Sequence, residues 1–204
     1  MNTMQSTNSS RVSRYLFHQS PEDGIHRFSR GSLLPLKDDY LWRVEAGVVR
    51  TLTWFEDGTV IALGIWGRGD VLGKPLTQAN PFQAECLTPI EATLWPIDQW
   101  ESLTDSLLAY ALQTEKLTLI RSYKRSEEML LRLLDWLATK FGHAVDNGHE
   151  LNFHLTHQIL SELLGLTRVT VTRLLGSLED QGLIRRLSRQ KLIVQEEEHW
   201  HYEI

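Results

Sequence analysis

Residues 156–184 read THQILSELLGLTRVTVTRLLGSLEDQGLI. Two arginines, Arg168 and Arg173, stand there among Val169, Thr170, Val171 and Thr172. A guanidinium is a rigid fork of N–H donors, and it can grip two acceptors at once on a phosphate or on the edge of a guanine. Small β-branched neighbours would let the backbone come close to those edges. Valine accepts no hydrogen bond, so Val169 could only touch an apolar edge such as a thymine methyl. The chemistry on offer is recognition of nucleic acid, and no catalytic residues are assigned.

Such residues work only if an element presents them together. Val171, Leu174, Leu175 and Leu178 fall at i, i+3, i+4 and i+7, one apolar stripe of a helix. Val169, Thr170, Thr172 and Arg173 lie away from that stripe, and Arg168 sits in the first turn. Thr167 is a good N-cap. The preceding residues read as a second amphipathic helix, broken from the first at Gly165, which supplies the tight turn of a helix-turn-helix. A hairpin, GLIRRLSRQKLIVQ, follows and carries Arg185, Arg186, Arg189 and Lys191. It reads as a basic wing suited to phosphates. A plain helical hairpin with solvated arginines is the alternative. The cap, the groove-facing composition and the wing together favour double-stranded DNA.

The rest of the chain bounds this reading. The formal net charge of the 204 residues is −5, so a nucleic-acid site must be a local patch. From Leu155 to Val194, basic residues outnumber acidic ones. One cysteine, Cys86, excludes an internal disulfide and an iron–sulfur cluster, and it fits a reducing cytoplasm. His18, His26, His143 and His149 show no ligand spacing, so neither metal nor cofactor is expected. No apolar run reaches the length of a membrane span. An enzyme on a cupin-like roll would need histidines on its strands, and residues 40–96 contain none.

Upstream, residues 40–96 alternate and are rich in valine, threonine and aromatic residues. Turn signals stand at 46–47, 56–58 and 67–70, and ATLWPID reads as a closing strand, which predicts an antiparallel barrel or sandwich. Residues 98–124 predict one long helix, with Leu107, Leu108, Ala111, Leu112, Leu117, Leu119 and Ile120 as its apolar positions. Its length favours packing on a second copy of itself over capping its own barrel. A further helix begins at Ser126, and Phe141-Gly142 with the polar HAVDNGHE close this section. The seven tryptophans read mainly as core. The fold class is α+β. The division is a disordered tail (1–10), a strand-rich domain (11–98), the long helix with a further helix (99–142), and the helix-turn-helix with its basic wing (143–204).

With these residues in place, a resemblance is plain. THQILSELLGLTRVTVTRLLGSLEDQGLI resembles the DNA-binding signature of the CRP/FNR family of bacterial transcription regulators, and TRVTVTRLLG is most similar to its cyanobacterial nitrogen-control branch. LWRVEAGVVRTLTWFEDGTVIALGIWGRGDVLG resembles the family's cyclic-nucleotide-binding-type roll, with its Gly-Asp-x-x-Gly turn at Gly69, Asp70 and Gly73. LQTEK, residues 112–116, resembles part of its dimerisation helix. The resemblance implies a cytoplasmic homodimer on a palindromic site of the GTA…TAC kind, with RNA polymerase as a further partner. It implies base reading by Arg168, Val169 and Arg173. It places His157, Gln158, Thr167 and Thr170 near phosphates, joined there by Arg189 and Lys191 of the wing. An interaction module with a helix-turn-helix that binds no DNA is the competing class.

Gly73, Lys74, Gln83, Tyr110, Thr114 and Glu115 are the candidates for an effector pocket by the same resemblance. Two departures define what it would hold. Cyclic-nucleotide binders follow the turn with glutamate and carry an Arg-Ser or Arg-Thr pair in the next loop. Here Lys74 follows the turn, and the loop offers Gln83 and Ala84, so the arginine fork for a cyclic phosphate is missing. The nitrogen-control branch uses an arginine before LQTE to bind 2-oxoglutarate, and Tyr110 stands in its place. Neither cyclic AMP nor 2-oxoglutarate is expected. Any small-molecule effector would be another one.

Overall fold

A computed structural model describes residues 22–188 and 191–195. The expected disordered tail, the rest of the stretch before the first strand with His18, and Arg189 lie outside them.

Seven short strands build the roll: β1 (Glu22–Phe28), β2 (Tyr40–Ala46), β3 (Val49–Trp54), β4 (Val60–Trp66), β5 (Val71–Leu72), β6 (Gln83–Cys86) and β7 (Ile90–Pro96). They form two antiparallel sheets, ordered β1-β7-β2-β5 and β4-β3-β6. The turns fall where the sequence signals them. Gly47 shows why at one of them. Its φ is +93°, and a Cβ there would stand 2.2 Å from the Pro89 carbonyl oxygen, so only glycine fits between β2 and β3. Inward side chains such as Val44, Val49, Trp66, Ala84 and Ile90 fill the roll. Trp66 keeps its indole N–H satisfied by donating to Thr51 Oγ1 at 2.9 Å.

The long helix expected over 98–124 is two pieces. Ile97–Leu103 winds as a 3-10 helix with a kink at Gln99, and α1 runs Thr104–Ser122. The tighter stretch ends with Leu103 buried in a cluster with Leu41 and Val71. Of the apolar positions on this helix, Leu117 and Ile120 are buried, whereas Leu108, Leu112 and Leu119 are 60%, 57% and 46% exposed. Then α2 (Ser126–Phe141) lays Leu130, Leu133, Leu134 and Leu137 into the large core cluster.

The polar stretch that follows α2 forms a hairpin, β8 (His143–Val145) with β9 (Gly148–Asn152). Its signal was the Asn147-Gly148 pair, a hairpin turn signature, but the flanking histidines and Glu150 masked the strands. Gly148 has φ +141°, and a Cβ would meet the Val194 carbonyl oxygen at 2.0 Å. That close approach lets β9 pair with the wing. The third sheet runs β10 (Ile184–Arg186), β11 (Lys191–Gln195), β9, β8. Between these strands lie α3 (His157–Leu164) and α4 (Arg168–Asp180).

Candidate nucleic-acid interface

Two caps set the angle between α3 and α4. Thr156 Oγ1 accepts from the Ile159 amide at 3.0 Å, and Thr167 Oγ1 accepts from the Thr170 amide at 3.1 Å. Each satisfies one of the amides that a helix start leaves unpaired. Between them Gly165 ends α3 in the left-handed region, at φ +66°.

The two faces of α4 are sharply different. Val171, Leu174, Leu175 and Leu178 are buried to 5% exposure or less. Val169 is 80% exposed, and Arg168, Thr172 and Arg173 are exposed beside it. Thr172 Oγ1 donates to the Arg168 carbonyl at 2.9 Å and sits 2.7 Å from His157 Nδ1. A hydroxyl has one proton to give, so with that proton on the carbonyl His157 must donate from Nδ1. Its Nε2 is then an acceptor, which cannot bond a phosphate until it takes up a proton. Burial, followed by the Arg186 and Arg168 charges, holds the imidazole below its usual range.

Several expected phosphate contacts already have partners. Gln158 Nε2 donates to Glu162 Oε1 at 2.8 Å, and Thr167 and Thr170 share a hydroxyl contact of 2.9 Å. Lys191 pairs with Glu150 at 2.9 Å. Arg186 pairs with Glu179, which also accepts from the Arg186 amide at 3.1 Å. Arg185 is exposed and makes no ion pair with a described residue. A groove of about 770 Å³ opens between α4, the start of α3 and the wing, with His157, Arg168, Arg186 and Lys191 at its rim.

The effector candidates do not converge on one site within the chain. Gly73 starts the short turn Lys74–Leu76, and Lys74 makes an exposed pair with Asp38 at 3.3 Å. Tyr110 reaches that turn, donating to the Leu76 carbonyl at 3.1 Å, and stacks flat on Trp66 at 4.5 Å. Gln83 opens β6 opposite Leu52. Thr114 and Glu115 face solvent on α1. No group of three potential metal ligands occurs among the described residues.

Contacts far apart in sequence, which no local pattern announces, tie the roll to the helix-turn-helix. Arg50 on β3 pairs with Glu85 at 2.7 Å and with Glu162 of α3. Arg121 donates to the Leu163 carbonyl at 2.6 Å and to the Ala62 carbonyl at 2.5 Å. Asp70 accepts from Gly67 N at 2.7 Å, Gln113 Nε2 at 2.6 Å and Lys140 Nζ at 2.6 Å, joining the Gly-Asp turn to α1 and α2. Arg30 donates to His154 Nδ1 at 3.0 Å, close to the start of α3.

Comparison with known proteins adds the following. Residues 128–199 match the Crp-like helix-turn-helix domain. The chain is 38% identical over 167 residues to the regulatory protein CysR of Synechococcus elongatus, covering 80% of this chain and 81% of that one. It is 31% identical over 164 residues to the global nitrogen regulator of Synechocystis, covering 72% of each. FixK2 from Bradyrhizobium japonicum superposes with a TM-score of 0.70 at 19% identity, over 84% of this chain and 92% of that one. A CRP/FNR family regulator from Thermus thermophilus superposes with 0.68 at 21% identity, over 84% and 93%.

Proposed function

The chain belongs to the CRP/FNR family of transcription regulators, and from that premise we propose that it acts as a homodimer on a palindromic DNA site in the cytoplasm. The relatives are transcriptional regulators and not enzymes. The observation that carries the reading is the two-sidedness of α4: a leucine stripe wholly inside, Arg168, Val169 and Arg173 wholly outside. Arg173 takes a guanine, Val169 a thymine methyl, and Arg168 a neighbouring base or phosphate. Gln158, Thr167, Thr170, Arg189 and Lys191 serve the backbone, and His157 joins them once its Nε2 is protonated. A half-site of the GTA kind, with TAC in the other half, follows from those chemistries. Residues 11–98 act as sensor, 99–142 as the dimer and linker helices, and 143–204 as the DNA reader. RNA polymerase is the further partner.

Two copies would cover the stripe Leu108, Leu112 and Leu119 on α1, with Glu115 in the same row, and set two recognition helices one DNA turn apart. The effector is neither cyclic AMP nor 2-oxoglutarate. Gln83 and Ala84 stand where the cyclic-nucleotide binders carry their arginine, and Tyr110 is stacked on Trp66 where the nitrogen-control branch carries an arginine. The test is selection of bound sequences from random duplex DNA. A palindrome with GTA-like halves is expected, unchanged in sequence and affinity by millimolar cyclic AMP. Recovery of no motif would leave the interaction-module class standing.

A further inference from the structure

His157 opens α3 and reaches across to α4. Its Nδ1 lies 2.7 Å from Thr172 Oγ1, whose own proton goes to the Arg168 carbonyl at 2.9 Å. The hydroxyl has only a lone pair left for the ring, so Nδ1 carries the hydrogen. In a neutral imidazole Nε2 then has a lone pair and no hydrogen. A duplex phosphate offers only acceptors. Acceptor against acceptor makes no bond, so this contact forms only when Nε2 gains a proton.

The charges around the ring keep that proton off while DNA is absent. Burial comes first, and the Arg186 and Arg168 charges follow, in holding the imidazole below its usual range. On the wing, Arg186 is paired with Glu179 and Lys191 with Glu150. On α3 itself, Glu162 is held by Gln158 and Arg50. Just before α3, His154 accepts from Arg30 at its Nδ1. Arg168 on α4 is exposed and makes no ion pair with a described residue. A phosphate seated beside His157 would neutralise Arg168 and add a negative charge next to the ring. The start of α3 favours an anion at the same point. Each of these changes raises the proton affinity of Nε2 on binding.

We propose that His157 is the contact through which DNA binding takes up a proton: Thr172 fixes Nδ1–H, and the imidazolium gives its Nε2 hydrogen to a backbone phosphate. Affinity rises as pH falls through the range where the bound ring titrates, by up to about tenfold per pH unit for one proton. It levels off once the free ring is protonated as well. The gain is shared by specific and non-specific duplexes, because a phosphate carries no sequence. This rests on the DNA-binding reading of α4, and its test separates the two.

The full chain, His157→Gln and Thr172→Val are titrated with the selected duplex by fluorescence anisotropy at fixed salt, from about pH 8.5 down to about pH 5.5, a range that brackets the histidine value. Calorimetry in two buffers of different ionisation heat counts the protons taken up. The unaltered chain should gain roughly tenfold in affinity over that range, with proton uptake on binding. In His157→Gln most of the gain and the uptake should vanish, since an amide donates to phosphate at any pH. Thr172→Val removes the acceptor at Nδ1 and frees the neutral ring to carry its hydrogen on Nε2. It should bind more tightly than the unaltered chain at the alkaline end, with a shallower slope. Equal slopes for the unaltered chain and His157→Gln would overturn the proposal. So would a Thr172→Val slope as steep as the unaltered one, and so would ring-nitrogen NMR of the free protein that finds the neutral ring protonated at Nε2. Binding of no duplex at any pH would overturn the reading of α4, and this inference with it, whereas binding with a flat slope overturns this inference alone.

Discussion

Arg173 and Val169 stand four residues apart on α4, so one segment of a groove meets both. Arg173→Ala should cost about 1–3 kcal/mol of specific binding and relax preference at one base pair, because a bidentate guanine contact is lost. Binding curves on duplexes varied one pair at a time check this. Uniform weakening on every duplex would make Arg173 a phosphate contact instead. Val169→Glu places an acceptor where there is only a methyl pair, and should draw preference toward a cytosine-containing pair. A selected motif identical to the wild-type one would mean that α4 is not docked this way. Both changes are on the exposed face, so thermal stability should hold. Leu174 and Leu178, one and five residues beyond Arg173 on the same helix but buried, would not tolerate such changes.

At the scale of elements, α1 and the wing make different demands. Leu112 is 57% exposed in the single chain, so Leu112→Asp should leave the protomer folded. In a dimer the same carboxylate would be buried at the seam, at a cost of several kcal/mol. Sedimentation should show folded monomer, and an intact dimer would place the interface elsewhere. The wing is fastened to α4 by Glu179, whose carboxyl is held below the usual range by the Arg186 side chain and then by the Arg186 amide. The folded pKa is therefore lower than the unfolded one. The contribution is present above the ordinary carboxylate value and is lost as pH falls through the lowered one. Glu179→Gln should flatten the acid side of the stability curve below about pH 4.5, the usual glutamate value. An unchanged acid limb in thermal unfolding would show that this exposed pair is too screened to count.

At the scale of the whole molecule, the roll and the reader are joined through Arg50. Its side chain is 12% exposed and that of Glu162 is 8%, so each depends on the other for its charge to be tolerated there. Arg50→Met should cost about 3 kcal/mol, since it strands a buried carboxylate, whereas the pair Arg50→Met with Glu162→Leu should regain most of that. Chemical denaturation of the single and double variants checks the difference. Glu162 also accepts from Gln158, an expected phosphate contact. The same pair therefore connects β3 and β6 of the roll to the mouth of the DNA site. Lys140 makes the second join, at Asp70, and burial lowers its proton affinity while Asp70 opposes that fall.

What the amino-acid sequence determined by itself was everything carried by local period and local turn chemistry. The stripe of α4, its Thr167 cap, the Gly165 break, and the turns of the roll at 47, 58 and 69 repeat over a few residues, and each follows from backbone rules that need no partner. The resemblance added the order of the parts and the roles of the outward residues on α4. Tertiary structure alone decided the rest. Gly148 reads as part of a polar stretch until β11 brings the Val194 carbonyl oxygen within 2.0 Å of its missing Cβ. The 98–124 helix breaks because Leu103 finds Leu41 and Val71 across the roll. Gln158, Lys191 and Arg186 read as groups for phosphates, yet Glu162, Glu150 and Glu179 hold them. Arg50 and Glu162 are 112 residues apart, and their pairing is set by how two cores pack. Periodicity encodes which face of an element is buried, but not which distant charge will lie against it.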